Sequence, residues 1–331
     1  MPLLEVRDLS VSFSTADGVV QAVRGLSFAV ERGKTLGIVG ESGSGKSVAT
    51  QSIVGLIQGA RVSGHAYFEG RDLLQMEDEE LRHVRGAQIA LIFQDPLSSL
   101  HPLYRIGWQI VEAIRAHEPL GKRAARRRAI EFLARVGIPE PERRVDDYPH
   151  QFSGGMRQRA MIAMALALSP SLLIADEPTT ALDVTVQAEI VELMKALQVE
   201  DGMAIVLITH DLGVVAGFAD EVLVMYAGRA MEQGDRRTLY RHPHHPYTEG
   251  LIEALPSESG KKHRLVPISG LPPSLIQLPS GCPFHPRCRY AFDRCKGEEP
   301  PLGEVGSGHV SACWLPPDRV PVETRTAKAA P

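Results

Sequence analysis

Apolar and polar positions alternate from Leu4 to Phe13, the period-two pattern of a strand with one buried face. Short alternating segments continue and end in the apolar run Thr35-Leu-Gly-Ile-Val-Gly40. A Gly-rich loop and a helix over about residues 46–56 follow, with further strand patterns at 66–68 and 89–93. From about Pro96 to Ser169 the period lengthens: 106–117, 122–136 and 157–168 carry helical spacing. Residues 172–175 and 204–208 are then wholly apolar, as in strands buried on both faces of a parallel sheet. Residues 183–199 lie between them as a crossover helix. The pattern predicts an α/β chain with a helical insertion over about 96–169.

After about Gly234 the pattern breaks down. His242-Pro-His-His-Pro246 punctuates the chain, residues 248–255 read as a short helix, and Pro and Gly become dense. This divides the chain into a core at 1–234 and a loop-rich accessory segment at 235–331, whose last dozen residues are expected to be disordered.

Charge and composition narrow the class. The 331 residues carry 36 Lys+Arg against 40 Asp+Glu, a net charge of -4, with 44% apolar and 23% charged residues. That is the make-up of a soluble globular protein, without the basic surplus of a nucleic-acid binder. The most apolar stretch, 160–175, is broken by Ser169 and Pro170 and falls short of the roughly 20 residues that span a membrane. The N-terminus shows neither the basic nor the apolar region of a signal peptide, so the cytoplasm is expected. The basic run at 122–128, KRAARRR, spreads Arg126 to Arg128 over different helix faces and reads as a solvated helix.

Gly40-Glu41-Ser42-Gly43-Ser44-Gly45-Lys46-Ser47 fits G-x-x-x-x-G-K-S/T without a mismatch, between an apolar strand and a helix. Glycines let successive N–H groups turn inward as an anion nest, and the helix N-terminus adds its dipole. Lys46 is placed to reach β/γ-phosphates and the Ser47 hydroxyl to ligate Mg²⁺. Leu172-Leu-Ile-Ala-Asp176-Glu177 ends a buried strand in two carboxylates. Asp176 is placed to hold Mg²⁺ and Glu177 to polarise a water for in-line attack on the γ-phosphate of ATP.

Three further pieces complete the set: Phe152-Ser153-Gly154-Gly155-Met-Arg-Gln158 before a helix, Ala181-Leu182-Asp183 after the carboxylates, and His210 at the end of the next strand. With Gln94, this order resembles the nucleotide-binding subunits of ABC transporters over about residues 3–235. The resemblance implies a RecA-like P-loop NTPase core with an N-terminal antiparallel β subdomain, the inserted helical subdomain, and here a Cys-containing C-terminal extension. It assigns Gln94 to Mg²⁺, to sensing of the γ-phosphate and to connection with membrane subunits, and His210 to the γ-phosphate and the attacking water. Ser153, Gly154, Gly155 and Gln158 would close over nucleotide held by a second subunit, with Asp183 at the dimer interface. A lone monomer would then be nearly inactive. Phe13 stands where the family stacks an aromatic ring on adenine, and equally suits a half-buried strand position.

Finer likeness narrows the branch. Phe93-Gln-Asp-Pro-Leu-Ser-Ser-Leu-His-Pro102, His245-Pro-Tyr-Thr248, and the tail from Gly270-Leu-Pro-Pro to Cys282-Pro-Phe-His-Pro-Arg-Cys288 look like dipeptide/oligopeptide/nickel importers. Dipeptide-importer ATPases are the nearest likeness; His101 stands where that branch more often has Asn. The likeness implies a second, related ATPase subunit, two transmembrane permeases, an extracytoplasmic solute-binding protein, no nucleic acid, and a place on the cytoplasmic face of the membrane. A soluble ABC ATPase or a non-hydrolysing regulatory subunit are the rival classes, and intact Lys46, Asp176, Glu177 and His210 count against the latter.

All four cysteines, Cys282, Cys288, Cys295 and Cys313, fall in the tail with spacing C-x5-C-x6-C-x17-C. Four thiolates suit a tetrahedral Zn²⁺ or a [4Fe–4S] cluster. The wide first spacings favour the cluster, as does the resemblance, while free or oxidised thiols stay open.

Overall fold

The computed structural model describes residues 1–94, 99–180, 182–255 and 267–318. Its strands are β1 Leu4–Thr15, β2 Gly18–Val30, β3 Thr35–Val39, β4 Ala60–Phe68, β5 Arg71–Asp72, β6 Ile89–Ile92, β7 Leu172–Asp176, β8 Ala204–Thr209, β9 Glu221–Tyr226, β10 Arg229–Asp235, β11 Gly303–Gly306 and β12 His309–Ser311. Contacts cluster the chain into two compact units. One comprises Met1–Leu3, Val30–Thr35 and Gln75–Ile208; the other comprises Leu4–Ala29, Leu36–Leu74 and Thr209 onward.

In the first unit β8, β7 and β6 lie side by side and parallel, Leu172 facing both Ile89 and Ala204. Leu172, Leu173, Ile174 and Ala175 have no exposed surface, nor do Ala204 to Ile208, as wholly apolar runs require. Each buried Leu or Ile contributes about 1.5–3 kcal/mol. Each inserted helix buries one apolar face. Ile106, Ile110 and Ile114 of helix Ile106–His117 are fully buried, as are Ala125, Ala129 and Leu133 of helix Lys122–Arg135. The basic run is engaged in ion pairs, with Arg126 on Asp146 and Arg128 on Glu118.

In the second unit an N-terminal sheet has the order β2-β1-β4-β5, with β4 antiparallel to both neighbours. A second sheet runs β11-β12-β10-β9-β3, where β3 is parallel to β9 and the rest are antiparallel. The accessory segment is therefore not only loops: β12 pairs with β10 through Glu232–Ser311, carrying the tail onto the sheet. Fully buried Glu232 fixes that junction. Its carboxylate accepts from the backbone N–H groups of His244 (2.6 Å) and His245 (3.0 Å), and lies 2.7 Å from His309 Nε2.

Several element ends differ from expectation. The first helix stops at Ile53, not 56, because Gly55 turns into the left-handed region. The helix expected at 157–168 begins at Gly154, since Ser153 caps it by accepting from the Met156 N–H. The one expected at 248–255 runs Pro246–Glu253, with Pro246 in the first turn and His245 as its cap. Strand β4 starts at Ala60, six residues before the apolar positions that announced it. The terminal dozen lies outside the described residues.

Candidate functional site

Strand β3, entirely buried, delivers the chain into the Gly-rich loop, and helix Lys46–Ile53 follows at once. Gly45 caps that helix at φ 98° with no side-chain bond, at the helix end where the dipole favours an anion. A Cβ at Gly45 would stand 2.2 Å from the Ala22 carbonyl oxygen, whereas one at Gly43 would meet nothing within 4 Å. The loop is thus pinned on one side and open on the other. Lys46, only 5% exposed, folds into its own loop: Nζ donates to Gly40 O (2.7 Å), Glu41 O (3.0 Å) and Ser44 Oγ (3.4 Å). Those acceptors are ones a phosphate oxygen replaces, so the cradle fits a polyphosphate. Ser47 lies in the first turn of that helix.

Glu41 has partners the motif does not demand. Its N–H donates to Tyr247 Oη at 2.9 Å. Its carboxylate accepts Arg287 Nη1 at 2.6 Å and Nη2 at 2.9 Å. The Glu41 carboxylate raises the Arg287 pKa above its usual range, and burial raises that of Tyr247. Sequence reading missed Arg287 and Tyr247, although both lie inside strings singled out for their likeness to importers.

In the other unit, strand β7 ends at Asp176, 6% exposed, and Glu177 follows at φ 47°. That left-handed conformation costs a non-glycine residue about 1–2 kcal/mol. It is tied down by the Glu177 N–H donating to Ile208 O at 2.8 Å. The Glu177 Oε2 accepts from Gln94 Nε2 (2.8 Å) and Thr180 Oγ1 (2.9 Å), so two of the expected residues meet directly. Thr180 went unnoticed in the sequence.

The remaining expected residues occupy structural positions that leave functional roles open. Gly154 and Gly155 form the first turn of helix Gly154–Leu166; a Cβ at Gly155 would crowd Val186 Cγ1 at 3.0 Å. Gln158 is buried with its Nε2 unpartnered among the described residues, a polar group that awaits an acceptor. Asp183 caps helix Val184–Asp201 by accepting from the Val186 N–H; its neighbour Ala181 lies outside the described residues. His210 is exposed directly after β8. Phe13 is half-buried on β1 opposite Ala60. An open groove in the first unit is lined by Leu91, Phe93, Ser99, Met161, Met164 and Ala165, the second of them adjacent to Gln94 in sequence.

The four cysteines, none in a disulfide, all line one small pocket with Phe284, Tyr290 and Trp314 among its walls. Burial, with the neighbouring thiols adding to it, pushes Cys282 up to about 11 and Cys313 up to about 12. Yet among the described residues no group of three or more His, Cys, Asp or Glu side chains is arranged to hold a metal ion. The expected [4Fe–4S] cluster or Zn²⁺ therefore finds donors of the right chemistry but no ready-made coordination. The thiols share their cavity with aromatic and aliphatic walls instead of closing on a common centre.

Comparison with known proteins follows the same lines. Residues 23–180 match the ABC transporter family and residues 231–295 the C-terminal region of oligopeptide/dipeptide transporters. The chain is 51% identical over 315 residues to the oligopeptide transport ATP-binding protein OppD of Haemophilus influenzae, covering 95% of this chain and 97% of that one. It is 50% identical over 320 residues to the dipeptide transport ATP-binding protein DppD of Escherichia coli, covering 96% and 98%. Among solved structures it is similar to the ATP-binding cassette MJ0796 in a dimeric post-hydrolysis state bound to ADP and Pi. That match has a TM-score of 0.64 and 28% identity, covering 71% of this chain and 99% of that one. Strand, loop, paired carboxylates and C-terminal segment agree: the chain belongs to the ABC transporter ATP-binding subunits of the oligopeptide/dipeptide importer family.

Proposed function

We propose that this chain binds and hydrolyses ATP to power import of di- and oligopeptides. It would act beside a second ATPase subunit and two membrane permeases, at the cytoplasmic face of the membrane, with an extracytoplasmic binding protein delivering the solute. The ATPase reading is carried by one observation: the Glu177 carboxylate at a buried strand end, oriented by Gln94 and Thr180 as a base for an attacking water is oriented. The peptide reading rests on likeness that extends through the C-terminal segment.

Each side chain then has a task. Lys46 exchanges its loop carbonyls for β/γ-phosphate oxygens, while the loop N–H groups hold the rest of the polyphosphate. The family resemblance makes Ser47, Asp176 and Gln94 the residues that would hold Mg²⁺, and the ion would supply positive charge against the phosphates. Glu177 takes the proton of water and His210 contacts the γ-phosphate. Ser153, Gly154, Gly155 and Gln158 serve the nucleotide of the partner subunit, Asp183 faces the dimer interface, and Phe13 stacks on adenine. The apolar groove beside Phe93 receives a permease segment, so that its movement reaches Glu177 through Gln94. We retain 1–234 as the ATPase module and 235–331 as the accessory one.

A resident [4Fe–4S] cluster, or alternatively Zn²⁺, is supported by the convergence of four thiols on one cavity. It requires those side chains to swing onto a common centre, and no step of ATP turnover runs through it. Iron, sulfide and zinc assays on anaerobically purified protein test it. For the function as a whole, the test is co-purification from native membranes with identification of attached subunits, followed by ATP-dependent peptide uptake in vesicles.

A further inference from the structure

A phosphate loop must hold its N–H groups in one fixed arrangement, and here the residue that begins the loop's turn is held from outside. Every polar group of Glu41 is bound: N–H to Tyr247, carbonyl to Lys46, carboxylate to Arg287. Two of those three partners come from the accessory segment. The phosphate-loop pattern accepts any residue at position 41, so the carboxylate answers to something other than phosphate chemistry.

Arg287 is built for this contact. Its side chain is 5% exposed, its Nε donates to Ser269 O at 2.9 Å, and Nη1 also donates to Tyr226 Oη at 3.2 Å. A two-pronged, charge-assisted contact of this sort fixes the angle as well as the distance. Arg287 closes the turn His285–Arg287, which lies between Cys282 and Cys288; the His285 N–H donates to Cys282 O at 3.0 Å. The cysteine-lined turn thus aims a guanidinium at the nucleotide loop. If Arg287 were lost, Glu41 would keep a largely buried charge without its counter-ion and would move toward water, taking Gly40 and Lys46 with it.

We propose that Arg287 and Tyr247 are positioning residues for nucleotide: through Glu41 the accessory segment sets the phosphate loop's shape and hence its affinity. This rests on the reading that the loop holds ATP phosphates. The rival account is that the pair merely anchors the tail.

The experiment uses the full chain assembled with its partner subunits. It measures Kd for a fluorescent ATP analogue, and KM and kcat for ATP and GTP, in Arg287→Ala, Arg287→Lys, Glu41→Gln, Tyr247→Phe and the Arg287→Ala/Glu41→Gln double variant. Arg287→Ala should raise Kd and KM at least about tenfold, the effect of one lost charged hydrogen-bond pair, with kcat within about twofold. The rise should be equal for ATP and GTP, because the loop touches phosphates and not the base. Lys should restore part of the affinity, and the double variant should be no worse than Arg287→Ala alone. Should Arg287→Ala fail to fold, Glu41→Gln and Tyr247→Phe decide by the same KM-against-kcat split. Unchanged Kd with a lowered melting temperature in these variants would reduce the contact to an anchor and overturn the proposal. Absence of nucleotide binding by the unmodified chain would instead remove the ATPase reading beneath it.

Discussion

Gln94 Nε2 donates to Glu177 Oε2 at 2.8 Å, joining residues 83 positions apart in sequence. The same oxygen accepts the Thr180 hydroxyl, so the carboxylate is oriented before any substrate arrives. Two motifs that the sequence shows only as separate strings are one hydrogen-bonded unit. The residue leading toward the apolar groove therefore holds the carboxylate proposed to activate water.

Replacing Glu177 by Gln keeps the shape and an acceptor but removes the base. Hydrolysis should fall by about 10²–10⁴-fold, while ATP binding persists and a closed, ATP-loaded dimer accumulates. Phosphate release and size-exclusion chromatography with ATP check both halves. Unchanged turnover would take Glu177 out of the mechanism.

Lys46→Ala deletes the ammonium that now bridges Gly40 O and Glu41 O. Affinity for ATP should drop about 10- to 100-fold, as for a charged hydrogen bond of about 1.5–3 kcal/mol. Equilibrium nucleotide binding measures it, and the melting temperature without nucleotide should change far less than the affinity.

Glu232→Ala should destabilise the chain by about 3 kcal/mol or more, the cost of removing one partner from a buried charged network. It leaves the His244 and His245 N–H groups and the His309 ring without their acceptor. Denaturant unfolding reads the loss, and Glu232→Gln, which keeps one oxygen, should lose less.

Arg126, with Arg105 adding to it, holds the Asp146 carboxyl below the usual carboxylate range. A depressed folded pKa contributes stability above the unfolded value of about 3.9, lost as pH falls through the lowered one. Because Asp146 is half-exposed, solvent screening limits this to about 1 kcal/mol or less. Stability of the parent and of Asp146→Asn should differ slightly at pH 7, converge as pH falls through the lowered pKa, and differ less in high salt.

Much of this architecture could be read from the chain because local pattern and tertiary burial agree. Helix Ile106–His117 was legible since Ile106, Ile110 and Ile114 form its buried stripe. Strand β7 was legible since every residue from Leu172 to Ala175 is apolar and enclosed. The glycine loop and the carboxylate pair were legible because their chemistry fixes residue types at short spacing. By contrast, the first six residues of β4 carry no apolar stripe, and the β12 pairing with β10 depends on residues some 80 positions apart. Arg287 on Glu41 spans 246 positions, and only folding brings the two together. The cysteines were legible as one cluster, but spacing could not say how their side chains would face, and in the folded chain they line a cavity without closing on a centre.

The most direct test compares ATP hydrolysis by the purified monomeric chain with hydrolysis by the same chain in lipid vesicles, assembled with its ATPase partner and permeases. The monomer should turn over at background, and the assembled complex should hydrolyse ATP while accumulating peptide inside the vesicles. Full-rate hydrolysis by the isolated monomer, or peptide accumulation that persists in Glu177→Gln, would contradict it.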